Sequence, residues 1–469
     1  MDSDTTLKAP TQTAKSPEFP EHLLRKREPY RPGIRRVPVD RFFKQEYHDL
    51  EVEKIWKKSW QWACREEEIP EVGDYMVYEV ATLSFIVMRT GEKEFKAYWN
   101  SCPHRARKIC TFDGKRATEI RCMFHGWAWN IDGKMKDMNG GSDFPGIRSE
   151  EVNRLPEART GVWGGFVFIN PDLDCESLES FLGELPDHFE NAGHDLSKRW
   201  KQVHVVARLN ANWKVTQEAF LEAWHAGITH PQLLTPAAID GAPRFAQQWD
   251  DFGNWMRWTI VPMEPGSKLV PTGLSAAETE QQYVNSHYDF HMNEDPPIKL
   301  AEGENGYLKV QETIRETHRK TLGDAIDDYH DYYMNAGEML MIWPNFHPWQ
   351  GFTRLMYRFR PYKNDPCQSL MDILLLAPWP EDRPRPEPMK AHVLEPGQPI
   401  TDAPELGQLA RIFAQDLGNI PMVQEGLMTS KNGYVILSNS NEAPLRHWHD
   451  RYDMWMGLDN TGGKIGDEA

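Results

Sequence analysis

Two short loops between Asn100 and Trp127 each present one cysteine and one histidine: Cys102-Pro103-His104, then Cys122-Met123-Phe124-His125, with seventeen residues between His104 and Cys122. Thiolates and imidazoles in that number are metal ligands. A four-coordinate zinc site of two cysteines and two histidines usually draws its cysteines from one loop and its histidines from the other. Here each loop mixes the two types. That mixing suits a [2Fe–2S] cluster with one iron on two thiolates and the other on two imidazoles. Neutral imidazoles lower the cluster's negative charge and raise its potential, so it takes electrons readily from a ferredoxin-type donor. Cys110 lies nearby, but the ligand set is complete without it, and a buried structural thiol is expected there.

A second group lies in NWKVTQEAFLEAWHAGITHPQ, which carries Glu222, His225 and His230. The periodicity predicts a helix ending at Gly227, with Glu222 and His225, three apart, on one face. His225 and His230 are five apart, which in an unbroken helix turns the second ring well away from the first. A break or bulge at Gly227 would bring His230 back. Two converging histidines with open positions fit the 2-His-1-carboxylate triad of non-haem Fe(II) oxygenases; taken alone, they also fit two unrelated surface histidines. The carboxylate must come from elsewhere. In LGQLARIFAQDLGNI, Leu406, Leu409, Ile412 and Phe413 mark one helical face, and Asp416 continues it. A carboxylate buried there without a partner is costly, and a metal ion would justify it. A surface aspartate near the helix end is the other reading of Asp416, and Glu405 and Glu425 are weaker candidates for the ligand.

The C-x-H-x17-C-x2-H pattern followed by Gly126-Trp127 resembles the Rieske family. The chain length and the second motif resemble the terminal oxygenase (alpha) subunit of Rieske non-haem iron oxygenases. The resemblance covers nearly the whole chain beyond the first residues, although only these motifs are specific. It implies a [2Fe–2S] cluster on Cys102, His104, Cys122 and His125, and a mononuclear Fe(II) on His225, His230 and Asp416, the last in the family's Phe-x-x-Asp context. Glu222 is implied to be an electron-transfer bridge to His125 of an adjacent subunit, hence a ring, either a homotrimer or an alpha3beta3 assembly with a small beta subunit. Four positions depart from the pattern: Glu222 where most relatives have Asp, Ala106 for a frequent Gly, Ala219 for Asn and Trp224 for Tyr. The implied activity is O2-dependent hydroxylation, by dioxygenation or monooxygenation, of a hydrophobic aromatic or polycyclic substrate, as in aromatic hydrocarbon catabolism. Oxidative N- or O-demethylation is an alternative. A non-catalytic Rieske electron carrier is another, as is a ligand-binding helix-grip protein with a vestigial cluster; both leave the second motif unexplained.

The elements that must position these groups fall into two sets. From Gly73 to about Pro171, short strands (YMVYEV, LSFIVMR, FKAYWN, GGFVFINPD) are separated by turn signals at Thr90-Gly91 and Asp132-Gly133. HDLEVEKIWKKSW before them has helical periodicity. After Asp172, SLESFLGELPDHF reads as an amphipathic helix and HVVARLNANW as a strand, and a long polar stretch runs to about Gly306. Then MLMIWPNFHPW, RLMYRFRPY and SLMDILLLAPW read as an antiparallel sheet, closed by the helix APELGQLARIFAQDLGNIPMVQEGL. The expected fold is α+β, a small all-β Rieske domain set into a larger helix-grip catalytic domain. The expected division is 1–56 lead-in and helical arm, 57–172 Rieske domain and 173–469 catalytic domain. Trp127 and Trp129 are expected to shield the cluster or to fill the core. FGNWMRWT and MLMIWPNFHPW could line an apolar cavity or cover a core. His347, His447 and His449 are expected to be structural.

A net charge of −17 argues against nucleic acid or an anionic membrane as a partner. The basic stretch LLRKREPYRPGIRR is expected to be a solvated arm against the acidic body, with an acidic partner protein as the alternative. No apolar run approaches the ~18–20 residues that span a bilayer. The polar first twenty residues are expected to be a disordered lead-in without a secretory signal. Six sparse cysteines suggest reduced thiols in a cytoplasm. No glycine-rich dinucleotide loop appears, so electrons from NAD(P)H are expected to arrive through a separate reductase, with or without a ferredoxin.

Overall fold

A computed structural model describes residues 33–147, 152–191, 195–230, 245–262, 275–287, 298–335, 337–380, 382–439 and 441–458. The polar lead-in, and most of the basic stretch that follows it, lie outside the described residues. The chain divides into two compact units: His48–Gly183 with Pro361–Asp365, and Met1–Tyr47 with Glu184–Arg360 and Pro366–Ala469.

The smaller unit is built on a six-stranded antiparallel sheet ordered Gln61–Arg65, Phe166–Asn170, Glu157–Trp163, Phe95–Trp99, Leu83–Arg89 and Tyr75–Val80. A second sheet of Glu119–Arg121, Ala128–Asn130 and Met135–Asp137 carries the second Cys/His loop between its first two strands. The Asp132-Gly133 turn forms as expected. Gly133 has φ +82°, and a Cβ there would meet the Tyr98 ring at 2.5 Å, so only glycine fits. Cys102 and Cys122 sit in this unit's core with Ile86, Tyr98, Ile120, Trp127 and Trp129. The thiols are therefore held by packing from both sheets.

The larger unit centres on a mixed eight-stranded sheet: Phe245–Asp251, Trp255–Pro262, Gly337–Ile342, Phe346–Pro348, Leu355–Pro361, Ser369–Pro378, Arg199–Leu209 and His392–Leu394. Antiparallel pairing prevails along it, and the last two strands pair in parallel. In LMYRFRP, Tyr357 and Phe359 alternate with Arg358 and Arg360, so aromatic and cationic side chains take opposite faces of the strand. The cationic face is buried as well. Asp372 accepts from both arginines and stands beside His204 at 3.0 Å. Burial raises the Asp372 carboxyl, but the two guanidinium groups and His204 outweigh it and hold the group well below its ordinary range.

Three expectations need correction. SLESFLGELPDHF forms two short helices, Leu178–Leu182 and Leu185–Asn191, because Gly183 adopts φ +55° and ends the first. The polar stretch before Gly306 contains two strands of the main sheet and the helix Ala276–His287, whose mostly polar sequence hid its periodicity. Third, the helix expected to reach Gly227 stops at Glu218. We call this helix α1 (Trp213–Glu218); a second, α2 (Ala226–Thr229), begins after an irregular turn. The long C-terminal helix, α3 (Leu409–Met428), is present as expected.

Candidate metal centres

The two Cys/His loops close in the same way. Ala106 N–H donates to the Cys102 carbonyl at 2.8 Å and Cys102 N–H to the Arg107 carbonyl at 2.9 Å. In the second loop Gly126 N–H donates to Cys122 at 3.0 Å and Cys122 N–H to Trp127 at 2.8 Å. The equivalent positions Ala106 and Gly126 are both left-handed, with φ +56° and +80°. The His104 and His125 rings lie 4.5 Å apart between centroids. Trp127 stacks on His104 at 4.9 Å and Phe144 stands edge-on to it at 5.5 Å, so Trp127 does cover the site.

His104 Nδ1 is buried with no hydrogen-bond partner among the described residues. A buried, unpaired imidazole nitrogen beside two buried thiols costs free energy unless a metal takes it. Burial pushes the Cys102 thiol up, and the neighbouring Cys122 adds to the rise. The Cys102 thiol would then ionise only with a compensating cation. Burial, then His104 and Arg105, lower His125, which keeps that ring neutral as a ligand must be. The residues therefore fit a mixed-ligand iron–sulfur cluster. Cys110 is partly buried and its N–H donates to Asn100 Oδ1 at 2.8 Å, the structural setting expected of it.

In the larger unit, ligand atoms of His225, His230 and Asp416 all lie within 4.8 Å of one another. Asp416 Oδ1 is 3.4 Å from His225 Nε2 and 2.9 Å from His230 Nε2. Asp416 sits on the buried face of α3 with Leu409, Ile412, Phe413 and Ile420. Glu405 is engaged elsewhere, 2.7 Å from His392 Nδ1, and Glu425 is exposed. The convergence of the two histidines has a different cause from the one expected. Glu222 lies outside any helix, and its carboxylate accepts the Trp224 and His225 N–H groups, the latter at 3.1 Å. These bonds cap the turn that leads into α2. Gly227 lies within α2.

Each histidine donates its Nδ1–H outward: His225 to Glu222 Oε1 at 2.5 Å, His230 to Gln415 Oε1 at 2.9 Å. With Nδ1 committed, Nε2 of both rings faces Asp416, the tautomer a metal site needs. Burial lowers the His225 pKa, but hydrogen bonds to Asp416 and Glu222 outweigh it and bring it up to about 10, so Nε2 holds a proton that a bound metal would displace. Asp416 is raised by burial and, on balance, lowered by the two histidines. Two nitrogens and one carboxylate are consistent with a mononuclear iron site.

Gln415 was not singled out by its sequence, because an amide beside a candidate ligand carries no motif. Nor were Phe220, Tyr357 and Phe359, which gather beside Phe413. Phe220 lies 5.0 Å from Tyr357, 5.5 Å from Phe359 and 6.2 Å from Phe413, and Tyr357 feels the Asp416 charge. The Trp-rich segments, expected to line a cavity or cover a core, mostly pack on other aromatics, although His347 of the second stands 5.1 Å from Phe359. Trp255 stacks on Phe252, and Trp343 lies against Trp448 and Trp455. Trp224 is 55% exposed. His347, His447 and His449 stay outside the metal group: His347 is fully buried and pushed down to about 3 by that burial, His447 lies 3.4 Å from Asp251, and His449 pairs with Glu218.

Residues 197–458 match the ring hydroxylating alpha subunit (catalytic domain) family, and residues 59–147 match the Rieske [2Fe–2S] domain. The carnitine monooxygenase oxygenase subunit of Escherichia coli (strain K12) is 27% identical over 220 residues, 47% of this chain and 57% of that subunit. Biphenyl 2,3-dioxygenase subunit alpha of Rhodococcus jostii (strain RHA1) is 30% identical over 189 residues, 39% of this chain and 40% of that one. Each match thus spans less than two thirds of the relative's own length. Among solved structures, a quaternary ammonium Rieske monooxygenase in complex with L-carnitine superposes with a TM-score of 0.60 at 17% identity, covering 90% of this chain and 95% of the other. Naphthalene 1,2-dioxygenase with indole bound gives a TM-score of 0.59 at 16% identity, covering 90% and 91%. At these identities the structural likeness speaks to fold.

Proposed function

The chain belongs to the ring-hydroxylating alpha subunit family of Rieske oxygenases, and from that premise we propose that it is the terminal oxygenase of a multicomponent system, acting on a hydrophobic aromatic or polycyclic substrate with O2. One observation carries the reading: the same chain holds a Cys/His loop pair with buried thiols and, in its other unit, the converging group His225, His230 and Asp416. An electron carrier needs only the first. We assign the cluster to Cys102, His104, Cys122 and His125 in a domain spanning 57–172, and the mononuclear iron to the triad in a domain spanning 173–469. A bound cluster supplies single electrons, and ferrous iron supplies the centre at which O2 is reduced.

The chain's own residues do the rest. Glu222 and Gln415 hold the two imidazoles in one tautomer with Nε2 inward. Phe220, Tyr357, Phe359 and Phe413 give the neighbourhood of Asp416 an aromatic wall suited to an apolar substrate and able to exclude water. Glu222 is placed to pass charge and protons to His225, and we assign its outer side to His125 of a neighbouring copy in a trimer, with or without a small beta subunit. Exposed apolar side chains beside each centre support such docking: Met123 and Phe124 next to His125, Trp224 and Ile228 around His225. A separate reductase, with or without a ferredoxin, feeds the cluster. A reducing cytoplasm suits the six free cysteines; among the described residues no helix is long and apolar enough to cross a membrane.

The test is product analysis with isotope-labelled O2 over aromatic, terpenoid and steroid compounds, with a reductase supplied. Label is expected as one atom in a monooxygenated product, two in a dioxygenated one and, for demethylation, one atom leaving with formaldehyde and none in the demethylated compound. If no compound is oxidised and the purified chain holds no iron beyond its cluster, the oxygenase reading fails.

A further inference from the structure

The partners of the two triad histidines differ in charge and in origin. His225 donates to a carboxylate only three residues away in its own turn, Glu222. His230 donates to a neutral amide 185 positions along the chain, Gln415. His230 is buried and stands at the end of a four-residue helix too short to orient it alone. At this end of α2 one helix supplies three polar contacts: Gln415 Oε1 at 2.9 Å and Asp416 Oδ1 at 2.9 Å on the His230 ring, and Asn419 Nδ2 at 3.4 Å from Thr229 Oγ1. Gln415 and Asn419 are four apart and share one side of α3, with the Asp416 ligand between them.

We propose that Gln415 is a positioning residue for the mononuclear centre. Its side-chain carbonyl accepts the His230 Nδ1–H, fixes the tautomer and ring plane, and so aims Nε2 at the metal. The adjacent positions 415 and 416 of α3 thereby supply both a ligand and the clamp on a second ligand from another element. Such outer partners of metal-bound histidines are typically worth 10–100-fold in metal affinity. The proposal rests on the metal-centre reading above, and its test separates the two.

The full chain, stripped of its mononuclear metal with the cluster intact, is titrated with Co(II) in competition with a chelator, and the release of Fe(II) from the loaded protein to a ferrous chelator is timed. Gln415→Leu keeps the side chain's size and removes the acceptor. It is expected to weaken Co(II) binding 10–100-fold and to speed iron release correspondingly, with the cluster's visible spectrum and the thermal midpoint unchanged. Gln415→Glu keeps an acceptor oxygen and is expected to restore binding to within a few-fold of the parent chain, a rescue that a space-filling role would not give. Should Gln415→Leu prevent folding, Gln415→Met supplies the same comparison. Parent-like metal retention in a folded variant lacking the acceptor overturns the proposal. Failure of the parent chain itself to bind Co(II) overturns the metal-centre reading instead.

Discussion

Two side chains carry separable expectations at the scale of single residues. Ala106 holds a left-handed φ of +56° at the position equivalent to Gly126. That conformation costs a residue with a Cβ about 1–2 kcal/mol. Offset by glycine's greater freedom when unfolded, Ala106→Gly is expected to stabilise the small unit by roughly 0.5–1 kcal/mol. Denaturant unfolding followed by loss of cluster absorbance measures it, and an unchanged or lowered midpoint counts against the strain. Glu222 has two tasks, accepting from the His225 ring and from the backbone N–H groups that begin α2. Glu222→Gln keeps an acceptor oxygen but loses the charge. Turnover is expected to fall at least 10–100-fold while the cluster still reduces and both metals remain. Rapid-mixing kinetics that show reoxidation of the cluster at the parent rate would remove Glu222 from the electron path.

At the scale of elements, α1 is tied to the helix Ala443–Met456 by a buried polar chain. Arg41 can only donate, so His449 Nδ1 accepts from it at 3.2 Å, and the neutral His449 donates Nε2–H to Glu218 at 2.9 Å. Burial raises Glu218 from 4.5 to about 8, with Lys214 and Arg41 opposing. The sign follows from linkage. A folded pKa above the unfolded one gives stability that is complete below pH about 4.5 and is lost as pH rises through about 8, at up to ~1.4 kcal/mol per pH unit. Glu218→Gln is therefore expected to flatten the stability profile across that window, read by denaturant midpoints at several pH values; an unaltered slope would place the titration elsewhere. This helix pair also shows what the sequence could disclose. Asp416 was legible because it continues an apolar stripe in α3, and the Cys/His loops because ligand types and spacing are local. The end of α1 at Glu218 was not. The helix closes in tightened bonds from the Phe220 and Leu221 N–H groups to Gln217 and Glu218, and Glu222 then bonds the backbone two and three residues ahead, local competition with helix formation that propensity does not register. The strands Phe245–Asp251 and Trp255–Pro262 were missed for a related reason: their residues read as strands only once sheet neighbours cover them.

For the whole molecule, the two centres sit in separate compact units, and the reading assigns electron delivery to neighbouring copies. That has a test independent of substrate. A chain with Cys102→Ser lacks a working cluster, and a chain with Asp416→Ala lacks a triad ligand. Each alone is expected to be inactive. Co-assembled from a mixture, the two are expected to recover a measurable fraction of activity, because an intact cluster in one copy serves an intact triad in the next. Persistent inactivity of mixed assemblies, verified by native mass spectrometry, would confine electron flow to within one chain.

The strand Arg35–Pro38 pairs antiparallel with Tyr434–Leu437, and Arg35 and Arg41 both reach Asp453. Synthesis order then matters. Every strand of the smaller unit has left the ribosome once Asn170 has emerged, whereas the larger unit lacks a seam partner until Leu437 does. The strands of the smaller unit can therefore pair while the larger unit still waits for its closing seam, and the Pro361–Asp365 segment of the smaller unit joins them later.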